Sequence, residues 1–158
     1  MSRTQTRALL CIAVVLVLGA VNWSIVAKER IKTQGERIFL ALAPVDPRSL
    51  MQGDYMALRF EIASGISAQA EGSAPLRLDA NGVATLDTGA DAGGLRIRYR
   101  VRNGQVWLGT NAYFFEEGAA GRYERARYGE FRIDRDTGEA VLVGLRDQDL
   151  KLLAGQGR

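Results

Sequence analysis

The sequence predicts a mainly β protein: a single N-terminal transmembrane helix followed by a small antiparallel β-sandwich or partly open barrel with one or two short helices. Three observations carry this expectation. An uncharged apolar block lies near the N-terminus. Short strand-like segments follow it at close spacing, and Gly- and Asn-containing turns punctuate them, a pattern that suits antiparallel sheets.

The block, residues 8–26 (ALLCIAVVLVLGAVNWSIV), holds nineteen residues and no charge. At a helical rise of 1.5 Å that is about 28 Å, just enough for a hydrocarbon core of about 30 Å. Trp23 suits an interfacial anchor, and KERIKTQGER returns the chain to water. The competing reading is a cleaved signal peptide. Cleavage after Ala20 would put Leu18 where a small residue is wanted, so a retained anchor fits better. Arg3 and Arg7 are balanced across the span by Lys28, Arg30 and Lys32, so the positive-inside rule does not decide the orientation. A short basic N-terminus before a long remainder favours a cytoplasmic start and an exported C-terminal domain. The chain then divides into an N-terminus (1–7), a span through the lipid bilayer (8–26), a stalk (27–36), a β-rich domain (37–153) and a tail (154–158).

Within the domain, residues 37–43 (RIFLALA) read as a short apolar strand and 55–62 (YMALRFEI) as a second. Residues 63–73 are small and polar, a loop. Segments 75–79 and 83–87 flank Ala80-Asn81-Gly82, a hairpin signal. Segment 95–102 (LRIRYRVR) alternates apolar and Arg strictly, and Asn103-Gly104 turns it into 105–108, the strongest short hairpin signal. Strands at 113–116, 130–134 and 140–145 complete the set, with a turn at 135–138. Helices are expected only at 120–127 and at 147–153, where Asp147 can cap the N-terminus.

Composition removes whole classes of chemistry. There is no His, and the only Cys is Cys11, inside the apolar block. Ser-His and Cys-His nucleophiles, His- or Cys-based metal sites, haem ligation by His and internal disulfides are thereby excluded. No metal or cofactor is expected. The formal charge of +3 hints at nucleic acid, but Arg3 and Arg7 precede the domain with no acidic residue beside them. The remainder holds 19 basic against 18 acidic side chains, too balanced for nucleic-acid binding.

The segment 42–60, LAPVDPRSLMQGDYMALRF, carries Gly53-Asp54-Tyr55-Met56-Ala57-Leu58-Arg59-Phe60. Further on stand Tyr113-Phe114-Phe115-Glu116-Glu117-Gly118, YERARYGEF at 123–131, and Val143-Gly144-Leu145-Arg146-Asp147. Over roughly residues 20–150 these segments resemble the GDYXXLXY family of bacterial membrane-anchored proteins, with Phe60 in place of the motif's last Tyr. The resemblance implies an N-terminal anchor in the bacterial inner membrane, a domain in the periplasm and a polytopic membrane partner encoded nearby. It implies no particular reaction.

Several polar constellations are candidates for function, each beside a plainer reading. Asp46, Arg48, Asp54 and Tyr55 crowd one stretch. Pro47 holds Asp46 extended, and a carboxylate in such a turn binds backbone N–H groups or an Arg. That stretch is a binding loop or a loop locked by its own side chains. Ser49 followed by Gly53-Asp54 faintly resembles a signal-peptidase box, but Lys28, Lys32 and Lys151 all lie away from strand contexts that would depress a lysine pKa. Tyr123, Arg125, Arg127 and Tyr128 form a Tyr/Arg set suited to an anionic group, a sugar or a protein, or to aromatic packing. Arg96, Arg98, Arg100 and Arg102 form a basic stripe, either a solvated strand face or a surface for anionic lipid or an acidic partner. Asp134, Asp136, Gly138 and Glu139 lack the spacing of a calcium loop and read as a hairpin turn. The leading expectation is a non-enzymatic envelope accessory protein that binds a polytopic membrane protein or an envelope component through its motif loops. The alternative is an envelope hydrolase or small-ligand sensor using Asp46, Asp54 or Tyr128.

Overall fold

A 32-residue helix, α1 (Arg3–Gln34), opens the computed structural model, which describes residues 3–43, 51–52, 55–89 and 94–155. Its segment Leu9–Gln34 is long and apolar enough to cross a membrane, and none of its most apolar stretch is buried. Trp23 is 80% exposed. The helix has no proline and runs on through residues 27–34 to Gly35, whose N–H closes the last turn on the Ile31 carbonyl at 2.8 Å.

Eleven strands follow among the described residues: β1 (Glu36–Ala41), β2 (Met51–Gln52), β3 (Tyr55–Ala57), β4 (Gly72–Leu78), β5 (Val83–Leu86), β6 (Arg96–Arg102), β7 (Gln105–Trp107), β8 (Ala112–Phe114), β9 (Tyr128–Ile133), β10 (Ala140–Arg146) and β11 (Leu152–Gly155). Eight form one sheet in the order β11-β10-β9-β1-β5-β4-β6-β7, and β2-β3-β8 form a second. Every pairing is antiparallel except β1 with β5, where Phe39 stands opposite Val83. The large sheet curls into a half-barrel, the partly open form of the expected architecture. Its curl brings the turn between β9 and β10 onto β6, where the Arg98 N–H donates to the Gly138 carbonyl at 2.7 Å. Gly138 has φ +70°, and a Cβ there would stand 2.8 Å from the Arg96 carbonyl oxygen, so the contact needs glycine.

Strand alternation builds the core. Ile38, Leu40, Ile97, Phe131 and Ile133 are fully buried inside the curl, while their sequence neighbours Arg37, Arg96 and Arg132 face outward. The Asn-Gly hairpin forms as expected, with Asn103 at φ 51° and Gly104 at φ 71°. Asp79 accepts the N–H groups of Asn81 and Val83 and so shapes the turn before β5.

Three elements differ from the sequence reading. The strand expected at 55–62 ends at Ala57, and a 3₁₀ turn forms at Glu61–Gly65. Alternation nevertheless persists: Met56, Leu58, Phe60 and Ile62 all point inward while the backbone crosses between the sheets. The helix expected at 120–127 contracts to α2 (Ala120–Tyr123). The helix expected at 147–153 is absent. Asp147 accepts N–H bonds from Asp149 and Lys151 in a tight turn, and β11 then pairs with β10. An Asp serves an N-cap or an Asx turn equally well, and seven residues are too few to sustain a helix on their own.

Helix and domain are joined by direct contacts. Ile31 is buried, Arg132 donates to the Gly35 carbonyl at 3.2 Å, and Lys28 pairs with Glu139 on the β9–β10 turn. Arg135 pairs with Glu36 at 2.6 Å. A Cβ on Gly35 would lie 3.1 Å from both the Arg132 Cβ and the Ile133 nitrogen, so glycine lets the helix end abut β9.

Candidate functional site

Strand β3 carries Tyr55 of the GDY motif and pairs with β8, placing Tyr55 opposite Phe114 and Met56 opposite Tyr113. The Tyr55 and Phe114 rings lie 5.7 Å apart, and Phe114 is 66% exposed. Beneath them is an aromatic floor. Tyr113 is wholly buried, Tyr123 is 4% exposed, and the two rings are 5.2 Å apart. Phe115 stacks on Tyr123 at 5.1 Å. Burial, and after it a hydrogen bond with Tyr123, pushes the Tyr113 hydroxyl well above its ordinary pKa. Tyr123 therefore supports the surface from below and does not face solvent.

A second seam joins Leu42 and Phe60 to a different motif segment, 123–131. Leu42 bridges Phe60, and its N–H donates to the Arg127 carbonyl at 2.8 Å. Phe60 is 3% exposed and packs edge-on against Phe131 at 5.2 Å, over Gly129. A Cβ on Gly129 would stand 2.9 Å from the Phe60 ring, so this strand position must stay bare. Arg127 is exposed, with its guanidinium on the Ala126 carbonyl at 2.9 Å. Tyr128 is half-buried at the start of β9, between Ala41 and Arg146 in register. Tyr55, Phe114, and the pair Arg127 and Tyr128 thus belong to three motif segments, the first touching the second along one seam and the third along the other. Asp46, Arg48 and Asp54 lie outside the described residues, as do Ser49 and Gly53.

One pair escaped the sequence reading. Glu130 is 5% exposed, and its carboxylate accepts from Arg146 Nε at 2.7 Å and Nη2 at 2.6 Å. Arg146 also donates to the Leu150 carbonyl at 2.7 Å and lies 5.6 Å from the Phe39 ring. Alternation places Glu130 correctly on the outer face, but outer implied solvated. Arg146 pairs with it there and is itself tied to the β10–β11 turn, in which Leu150 has φ 58°. The only sequence signal was opposite charge in two motif segments.

No group of three or more His, Cys, Asp or Glu able to hold a metal occurs among the described residues. Fold and site together define an apolar helix joined to a half-barrel in which two motif segments, 113–118 and 123–131, pack on residues 55–60. The chain belongs to the family of GDYXXLXY proteins, whose model matches residues 17–145, from within α1 to the end of β10. No curated protein and no solved structure matches it.

Proposed function

We propose that this is a membrane-anchored accessory protein of the bacterial envelope. The helix α1 holds the domain on the periplasmic side of the inner membrane, and the motif surface binds a polytopic membrane protein or another envelope component. The observation that carries this reading is Phe114, a large apolar ring left 66% exposed against Tyr55 on a rigid aromatic floor. Exposed aromatic anchors on packed supports are the usual centres of protein interfaces. Glu36 pairs with Ile133 at the helix joint, and Ala41 pairs with Tyr128 near the motif surface. Five strand steps separate these pairs, about 17 Å at 3.4 Å per residue. The domain so presents its surface at a set height above the bilayer. Arg127 and Tyr128 form one flank of the surface in this reading, and Asp46, Arg48 and Asp54, which precede Tyr55 in sequence, contribute to binding.

The test is crosslinked recovery of the full-length chain from its own membranes. Wild type should bring down one membrane or envelope partner, and Asp54→Ala and Phe114→Ala should each lose it while keeping the wild-type Tm. Equal recovery with all three proteins, or recovery of none, would set the reading aside.

A further inference from the structure

The stripe of arginines on β6 lines a cavity at the membrane-facing end of the domain. A space of about 170 Å³ is bounded by Lys28, Arg98, Arg100, Arg102, Trp107 and Glu139, with Gly109, Thr110 and Ala140 closing it. That volume equals roughly five or six waters' share of the liquid, enough for a phosphate group. Ile97 points into the core, so the Arg residues share the outer face, and Arg100 stands opposite Trp107 in the β6–β7 register. Four cations meet one carboxylate here, and that carboxylate, Glu139, is already paired with Lys28. Arg98 and Arg100 make no ion pair with any described carboxylate, whereas Arg96, just outside the cavity, is tied to Ser73. Arg102 lies 5.4 Å from the Trp107 ring. The Trp107 side chain is one wall of the cavity.

The position of the cavity selects the anion. Lys28 stands two residues beyond the last residue of the uncharged run, Val26, a rise of about 3 Å along the helix. With α1 in the bilayer, the cavity lies at the level of the lipid headgroups, where Trp and Lys anchors belong. Guanidinium groups bind phosphate oxygens in pairs, and a basic site at this depth gains from the surface potential of anionic lipid.

We propose that this cavity binds the phosphate of an anionic phospholipid headgroup. The proposal rests on the anchoring role of α1, and it is independent of any partner at the motif surface. Trp107 is one of two tryptophans, so the full-length chain carrying Trp23→Phe reports on the site by its own emission. In neutral detergent micelles, added phosphatidylglycerol should shift that emission saturably, and phosphatidylcholine should not. Arg98→Gln with Arg100→Gln should raise the half-saturating concentration about 25-fold, from roughly five-fold per basic residue. If the pair of substitutions unfolds the domain, Arg98→Gln alone should raise it about five-fold. An equal response to both lipids, or an unchanged midpoint in the variants, overturns the proposal. Saturation by inorganic phosphate at the same concentration would assign the site to free phosphate and also overturns it. Alkaline extraction of the chain from native membranes separates the two failures: release into the supernatant removes the anchor, while retention without a lipid response removes only the lipid site.

Discussion

The two ends of strand β9 are held by different physics. At the helix joint one apolar side chain, Ile31, is buried, and the remaining contacts are polar: Lys28–Glu139, Arg135–Glu36, and Arg132 on the Gly35 carbonyl. At the motif end they are rings and buried surface: Phe60 on Phe131, Tyr113 and Phe115 on Tyr123. Exposed ion pairs contribute little to stability, whereas buried aromatics carry several kcal/mol each. The ion pairs of the joint therefore set orientation at small energetic weight, and the motif end holds the domain together while presenting Phe114. The one buried ion pair among the described residues, Glu130–Arg146, lies toward the motif end, since Arg146 stands beside Tyr128 in register.

That contrast can be broken in order of expected size. Arg146→Leu leaves the Glu130 carboxylate buried without its partner and should cost about 3–5 kcal/mol in urea unfolding. Removing both charges with Glu130→Leu and Arg146→Leu should recover much of that loss. Gly129→Ala forces a methyl against Phe60 and should cost about 1–3 kcal/mol by the same assay. Glu139→Gln, at the joint, should change stability by no more than about 1 kcal/mol, because both side chains of its pair are substantially exposed. If Glu139→Gln cost more than Gly129→Ala, the division of labour between the ends would be wrong.

Acid should act first on the joint. The Asp134 carboxyl is held below its ordinary pKa, chiefly by the Thr137 N–H and then by its other turn contacts. Its contribution is present above the ordinary carboxylate range and is lost as pH falls through the lowered value. The protection factors of amides at 134–139, corrected for intrinsic exchange, should therefore fall below about pH 4, while those at Phe131 and Tyr113 hold.

How far the sequence could see follows the same line. The half-barrel's strands were legible because alternation and turn chemistry are local: LRIRYRVR and Asn103-Gly104 specify their hairpin without help from the rest of the chain. Residues 147–153 were misread because Asp147 caps a turn as readily as a helix, and only pairing with β10 decides between them. The same limit hid the site. Tyr123 and Tyr128 look alike in sequence, yet the curl of the sheet buries the first and leaves the second half-exposed. Phe114 does not stand out within YFFEEG, because only the β3–β8 pairing shows which of its rings faces out. Asp46, Arg48 and Asp54 remain proposals on chemical grounds.

The most direct measurement places a photocrosslinking residue at Phe114 in one full-length protein and at Arg98 in another, each irradiated in native membranes. A motif-end partner and a joint set at the headgroups predict a discrete protein adduct from position 114 and lipid adducts alone from position 98. A protein adduct from position 98 with none from position 114 would contradict both assignments, and would move the partner surface from the motif end to the joint.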